Sequence, residues 1–499
     1  MSKKLIIGLL ILSIGVFSGI VSAENVLDVA QVADISTLDP QAANDIYSAN
    51  VMKQIYNNLV VIDEDMDIVG DLAESWENPD DNTWVFNLRE GVKFHNGNEF
   101  TAEDVKFTIN RLLDPETGSP GAWLLEEVEE VNAIDDYTVE IVTREPFAPI
   151  LSNLARYEVS MLNKEAVEEA GEDYASQPVG TGPFTFEEHL YGDKVILNAY
   201  DDYFLGSPKV DGIVYRAIPE DATRVVELES ASVDIVYNIP PQEIERLESN
   251  NALKMVETLG QSTLYAGFNF DVEPFDNKLV RQAMNYAVDK NAVVDAVFFG
   301  KAEPSYGPLS PSIFGFDDEL SHAYPYNPEK AMELLEEAGY ADGFDCVIWT
   351  DPRTERSSIA ELIQAYLAAI GINAEVELME WSNFISASTD SDGLFILGWT
   401  GTGAADGGLY PRFHSSNIGA SNRHRWGTDE LDQMLEEART TVNVEKSLEI
   451  YKEAQSYIIE HASDIFIAVP ETLAATQSNV SNFRLYPNNI NPLFDVEIE

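Results

Sequence analysis

Apolar residues recur along this chain with two different periods. Every second residue is apolar at Trp84, Phe86 and Leu88, the signature of a strand with one buried face. Short apolar runs at 26–30, 195–197, 213–215, 233–236, 344–349, 372–379, 395–397 and 465–469 predict further strands. Elsewhere the period lengthens to three or four. Val51, Ile55 and Leu59 predict a helix from about residue 46 to 59. Val105, Ile109, Leu112 and Leu113 predict another, capped by Thr101 with Asp104 three residues on. Leu279, Val280, Ala283, Met284 and Ala287 form a third stripe behind a cap at Asp276, and Asp289 caps a helix that stops at Gly300. Asn327-Pro328 opens a helix that Gly339 closes. Helices are also predicted at 222–229, 358–370 and 445–460. Strand 344–349, helix 358–370 and strand 372–379 follow one another as a crossover unit, which implies parallel strands. Alternation on this scale is an α/β architecture.

One stretch breaks the pattern. The strand at 395–397 ends at Gly398-Trp399, and five glycines fall between Gly398 and Gly408. The sequence predicts a flexible loop here, opened by an aromatic plate, Trp399, and carrying one carboxylate, Asp406, up to Arg412. A strand that ends in such a loop can line a ligand cleft.

Composition narrows the function. The chain has 499 residues with 87 Asp+Glu against 30 Lys+Arg, a net charge of −57. So negative a surface repels nucleic acid and anionic lipid, and no nucleic-acid partner is expected. The single cysteine, Cys346, rules out an intrachain disulfide and is expected in a buried strand. Lys3 and Lys4, the apolar run 5–21 and Val21-Ser22-Ala23 read as a signal peptide over 1–23. Export is therefore expected, to a periplasmic or other extracytoplasmic location. No cysteine at the cleavage site offers an N-terminal lipid anchor.

Several runs together carry a resemblance. Leu72-Ala73-Glu74-Ser75-Trp76, then Leu88-Arg89-Glu90-Gly91-Val92-Lys93-Phe94-His95-Asn96-Gly97, then Phe100-Thr101-Ala102-Glu103-Asp104-Val105 come first. Pro178-Val179-Gly180-Thr181-Gly182-Pro183-Phe184 and Tyr200-Asp201-Asp202-Tyr203-Phe204-Leu205-Gly206 follow, and Val280-Arg281-Gln282-Ala283-Met284-Asn285-Tyr286-Ala287 comes later. In this order they resemble the family-5 extracellular solute-binding proteins, the peptide and nickel receptors of ABC importers. The resemblance implies a two-lobed periplasmic-binding-protein fold (type II, cluster C) with an extra inserted domain. It divides the chain into lobe I at 26–62, 178–262 and 472–499, an inserted domain at 63–177, and lobe II at 263–471. Crossovers near 262–269 and 469–475 would be the hinges. The implied function is a monomeric, cofactor-free receptor that captures an oligopeptide or a di- or tripeptide and delivers it to permease and ATPase subunits. The loop after Trp399 is similar to that of the oligopeptide- and glutathione-binding subgroup. A nickel-chelate receptor using His414 or His424, or a sugar receptor, is the alternative.

No catalytic motif competes with this. The six histidines form no i, i+4 pair, and neither a Gly-x-Ser-x-Gly elbow nor a phosphate-binding loop is present. A non-enzymatic binding protein is expected. A zwitterionic peptide needs partners for both charged ends in a dry cleft. The resemblance gives Asp406 to the peptide ammonium. Arg353 and Arg356 are candidates for its carboxylate. Trp399 and Tyr47 are candidate cleft walls, and main-chain groups of Gly401, Thr402 and Gly403 can pair with the peptide backbone.

Overall fold

The structure, a computed structural model, describes residues 25–63, 67–320 and 323–499; the signal peptide expected at 1–23 lies outside them. Among the described residues no helix is long and apolar enough to cross a membrane. Twelve strands form one large mixed sheet that serves two lobes. In lobe I, Val26–Gln31 lies between Gly212–Ala217 and Ile235–Tyr237, parallel to both, and Lys194–Ala199 and Phe184–Leu190 extend the edge. In lobe II, Asp345–Thr350 is parallel to Asn373–Leu378 and to Leu394–Trp399, as the crossover pattern required. A separate four-stranded antiparallel sheet, Ala73–Asp80, Thr83–Leu88, Thr138–Thr143 and Val128–Asp135, builds the inserted domain.

One strand joins the lobes. Asp464–Gln477 has fourteen residues where the apolar run predicted five. Its first half pairs with Thr263–Gly267 in lobe II and its second half with Leu253–Leu259 and Ile235–Tyr237 in lobe I. The polar second half hid it, because Pro470, Glu471 and Thr472 interrupt the apolar run at the handover between lobes. There Gly260 N–H donates to the Pro470 carbonyl at 3.0 Å, so the two crossovers touch.

Among the described residues, three of the five apolar cores show where the three parts are packed. Leu27, Val29, Val51, Ile55, Ile213 and Leu493 belong to one, and Phe86, Phe94, Val105, Ile109 and Ile141 to a second within the inserted domain. Lobe II has a third beneath its sheet, with Val280, Met284, Ile348, Ile363 and Ile396. The helix caps are formed by short polar side chains. Thr101 and Asp104 form the reciprocal box, and Asn327 and Asp289 accept from the backbone as expected. Asn277 caps Lys278–Ala287 in place of the expected Asp276.

The helix predicted to reach residue 59 stops at Ile55. The Ile55 carbonyl accepts from Gly182 N–H at 2.8 Å. The next two asparagines turn to Asp71, whose carboxylate takes Asn57 Nδ2 at 3.0 Å and Asn58 N–H at 3.1 Å. Leu59 is buried all the same, but in the core of the inserted domain. Its four-residue spacing from Ile55 suited a helix by coincidence.

Candidate functional site

The turn after Trp399 faces a cleft. Leu394–Trp399 lies antiparallel to Thr263–Gly267, with Trp399 opposite Thr263. The chain then turns through residues 400–403. Gly401 and Gly403 have φ of +66° and +87°, in the left-handed region that a side chain would strain. Thr400, Gly401, Thr402 and Gly403 form one wall of a cavity of about 260 Å³. Lobe I supplies Asn44, Asp45, Lys53, Val61 and Ile62, the inserted domain supplies Asp63, Arg156 and Tyr157, and Tyr486, Pro487 and Asn488 close one side. Gln261, from the crossover, also reaches it.

The cavity carries both signs of charge. Asp45 sits at the N-terminus of Ile46–Ile55, where it accepts from Ser48 N–H at 2.8 Å. The Arg156 guanidinium is gripped by Glu158, at 3.1 Å from Nε and 2.5 Å from Nη2. Burial works against its charge, but Glu158 overrides this and holds the pKa above its ordinary value. The remaining nitrogen, Nη1, points across the cleft to the Gly401 carbonyl at 3.5 Å. Inserted domain and lobe II therefore approach each other over the cavity.

Beyond the turn the expected loop is a helix, Ala405–Phe413, containing Gly407, Gly408 and Pro411. The glycines answer a need for close approach: a Cβ on Gly407 would lie 2.1 Å from Thr402 Oγ1. On Gly408 it would lie 2.2 Å from Leu309 Cδ2. This moves Asp406 away from the cleft. It is buried in the first turn, accepts from Tyr451 Oη at 3.0 Å and pairs with Arg439 Nε at 3.2 Å. Burial raises its pKa above the ordinary carboxylate range, against the pull of Arg439 and the Tyr451 hydrogen bond. Trp399 also turns inward, donating from Nε1 to the Gly407 carbonyl at 2.9 Å.

The expected arginines are likewise engaged elsewhere. Arg353 and Arg356 both bind Asp351, at 2.8 Å and 2.6 Å, and both lie over the Trp381 ring. Burial pushes the Asp351 carboxyl up, but the hydrogen bonds from Arg353 and the charge of Arg356 outweigh it and bring the pKa to about 2. The helix begins at Thr354, four residues earlier than expected, so Arg356 lies within it. Tyr47 is half-buried beside the cavity and does not line it. Of the candidate ligand residues, only Gly401, Thr402 and Gly403 are brought to the cavity wall. His414 hydrogen-bonds Ser416 at 2.7 Å and His424 binds Asp464 at 2.5 Å, neither of them at the cleft.

The other cavity residues, Lys53, Asp45, Arg156, Tyr157 and Tyr486 among them, escaped the sequence reading. They come from segments at opposite ends of the chain that share no motif. One signal was available. In a chain so poor in cations, an arginine beside a tyrosine at 156–157, following the apolar 150–154 segment, was worth attention.

Two lobes on a shared sheet, an inserted domain and a small charged cavity between them define a solute-binding protein of the type II periplasmic class. Residues 67–420 match the family described as "Bacterial extracellular solute-binding proteins, family 5 Middle". The chain belongs to the family-5 bacterial extracellular solute-binding proteins. It is 34% identical to heme-binding protein A of Haemophilus influenzae, over 90% of this chain and 87% of that protein. It is 32% identical to glutathione-binding protein GsiB of Pectobacterium atrosepticum, over 94% and 93%. The solved structure of the periplasmic binding protein DppA from Helicobacter pylori, in complex with the peptide STSA, superposes with a TM-score of 0.80 at 29% identity, covering 95% of this chain and 98% of that one.

Proposed function

We propose that this protein is the receptor of an ABC importer and captures short peptides, of two or three residues, between its closing lobes. The observation that carries this is the cavity itself. At about 260 Å³ it lies near the lower end of the ~300–1,000 Å³ usual for small-ligand sites. It offers Lys53 and Arg156 to a carboxylate, Asp45 and Asp63 to an ammonium group, and the turn 400–403 to a peptide backbone. The glutathione-binding and peptide-bound relatives support the same class. Heme is disfavoured: a porphyrin overfills this volume, and none of the described lining residues is His, Cys or Met. A nickel chelate is disfavoured because His414 and His424 are bonded elsewhere.

Titration calorimetry tests the proposal with trialanine, glutathione, heme, a nickel–histidine chelate and a disaccharide. Binding of trialanine or glutathione alone is the expected result. Heat from the chelate, the heme or the sugar, with none from either peptide, would overturn it.

A further inference from the structure

Beside the cleft lies a second cavity, of about 430 Å³. The two share six residues, Lys53, Val61, Ile62, Asp63, Tyr486 and Pro492, which form the partition between them. Its floor is polar and fully organised. Asn57 bridges the buried Asp71 carboxylate, at 3.0 Å, and the Tyr203 hydroxyl, at 3.1 Å. Its walls are aromatic, with Tyr203 and Phe494 meeting edge to face at 5.1 Å between ring centres. At the rim stands Leu205, 55% exposed, an apolar side chain that nothing covers.

The charges here are unusual for this chain. Lys53, Lys209 and Arg484 all face the cavity, three cations out of thirty in a protein with 87 acids. Neither Lys53 nor Lys209 is in an ion pair among the described residues. Asp63, Asp71, Asp495 and Glu497 also line it. Of these, Asp71 is turned to Asn57 and Asn58 in the floor. The cavity is thus one of mixed charge with an apolar wall.

Building on the proposed capture of short peptides, we infer that the second cavity is an extension subsite for peptides of four residues or more. A chain that fills the first cavity advances about 3.3–3.6 Å per further extended residue. One or two residues carry it past Lys53. Its last side chain then packs on Tyr203, Phe494 and Leu205, and its terminal carboxylate meets Lys209 and Arg484. Lys53, at the partition, reads the carboxylate of a tripeptide and only the passing backbone of a pentapeptide.

Calorimetry with trialanine, pentaalanine and C-terminally amidated pentaalanine tests this on wild type and Lys209→Ala. Lys209 is exposed and outside the first cavity, so the substitution leaves the tripeptide site intact. The expected result is that Lys209→Ala weakens pentaalanine five- to tenfold and leaves trialanine unchanged. Amidation should weaken pentaalanine for wild type by a similar factor and make it indifferent to the substitution. Pentaalanine binding that ignores both changes, or equal losses for both lengths, overturns the inference. So does a wild type that binds trialanine but no pentaalanine, while leaving short-peptide capture in place. A wild type that binds neither peptide overturns both.

Discussion

Two of the contacts between lobe II and the inserted domain differ in kind. Over the cavity, Arg156 Nη1 lies 3.5 Å from the Gly401 carbonyl, a long contact at the edge of hydrogen bonding. Away from the cavity, Ala148 N–H donates to the Arg439 carbonyl at 2.7 Å, and the Arg439 guanidinium lies between the rings of Phe147, at 5.2 Å, and Tyr410, at 4.0 Å. Asp406 holds that guanidinium in place from within lobe II. The first bridge is one that a ligand can displace or strengthen; the second involves no residue of the cavity. The contact between lobe II and the inserted domain therefore has a support that lies outside the cavity. Asp406, which its position in sequence suggested as a ligand partner, serves the second bridge.

The sharpest way to break this contrast is Asp406→Ala. It strands Arg439 in a half-buried site; loss of one partner costs about 3–5 kcal/mol in a fully buried pair, and somewhat less is expected here. A large drop in the denaturation midpoint is expected, with any loss of peptide affinity equal for free-amine and N-acetylated peptides. A loss confined to free-amine peptides would return Asp406 to the cleft.

The seam between the inserted domain and lobe I gives the next effect, and it responds to pH through a buried histidine. His95 donates from Nε2 to the Gly182 carbonyl at 2.9 Å, and Nδ1 accepts from Gly180 N–H at 3.4 Å. Burial lowers its pKa from 6.5 to about 4. The ring is then neutral when folded, while the unfolded chain takes up a proton below pH 6.5. Stability is complete above pH 6.5 and falls as pH drops toward 4, by on the order of 3 kcal/mol. Denaturant titrations of wild type and His95→Gln across pH 4–7 check this; the variant should lose that part of the slope.

Arg156→Lys sharpens the cavity side. It keeps the charge but loses the two-pronged grip of Glu158. Peptide affinity should fall about three- to tenfold, up to ~1.4 kcal/mol, with little change in melting temperature. Smallest is Phe147→Leu, which removes a cation–π contact worth about 0.5–1 kcal/mol. Small-angle scattering of the ligand-free protein should show a modestly larger open fraction, with unchanged peptide specificity.

The sequence carried the fold further than it carried the site, for local reasons. Caps such as Thr101 with Asp104, or Asn327 before Pro328, depend on neighbours three residues away and are legible in a line of text. The glycines at 407 and 408 misled because close approach to Thr402 and Leu309 looks, in sequence, like flexibility. Once that segment is helical, Asp406 faces the interior while the turn before it faces the cleft. Arg353 and Arg356 misled differently. They were sound candidates until Asp351, two residues before the first, took them both. Lys53 and Arg156 carried no local signal, since only the folding of three separate bodies brings them to one cavity.

The tie between the helix Ile46–Ile55 and the end of the chain has a consequence for the order of events in folding. Asn50 accepts from Asn491 N–H at 3.0 Å and donates to the Asn489 carbonyl at 2.8 Å, and Gln54 accepts from Leu493 N–H at 3.0 Å and donates to the Asn491 carbonyl at 2.9 Å. These buried amides also bond within their own helix, but they complete their hydrogen bonding with residues more than 430 positions further along the chain. A chain emerging from a ribosome or a translocation channel meets them last, and contacts so distant in sequence form slowly. Until then lobe I lacks the part of its core that Leu493 and Val496 supply.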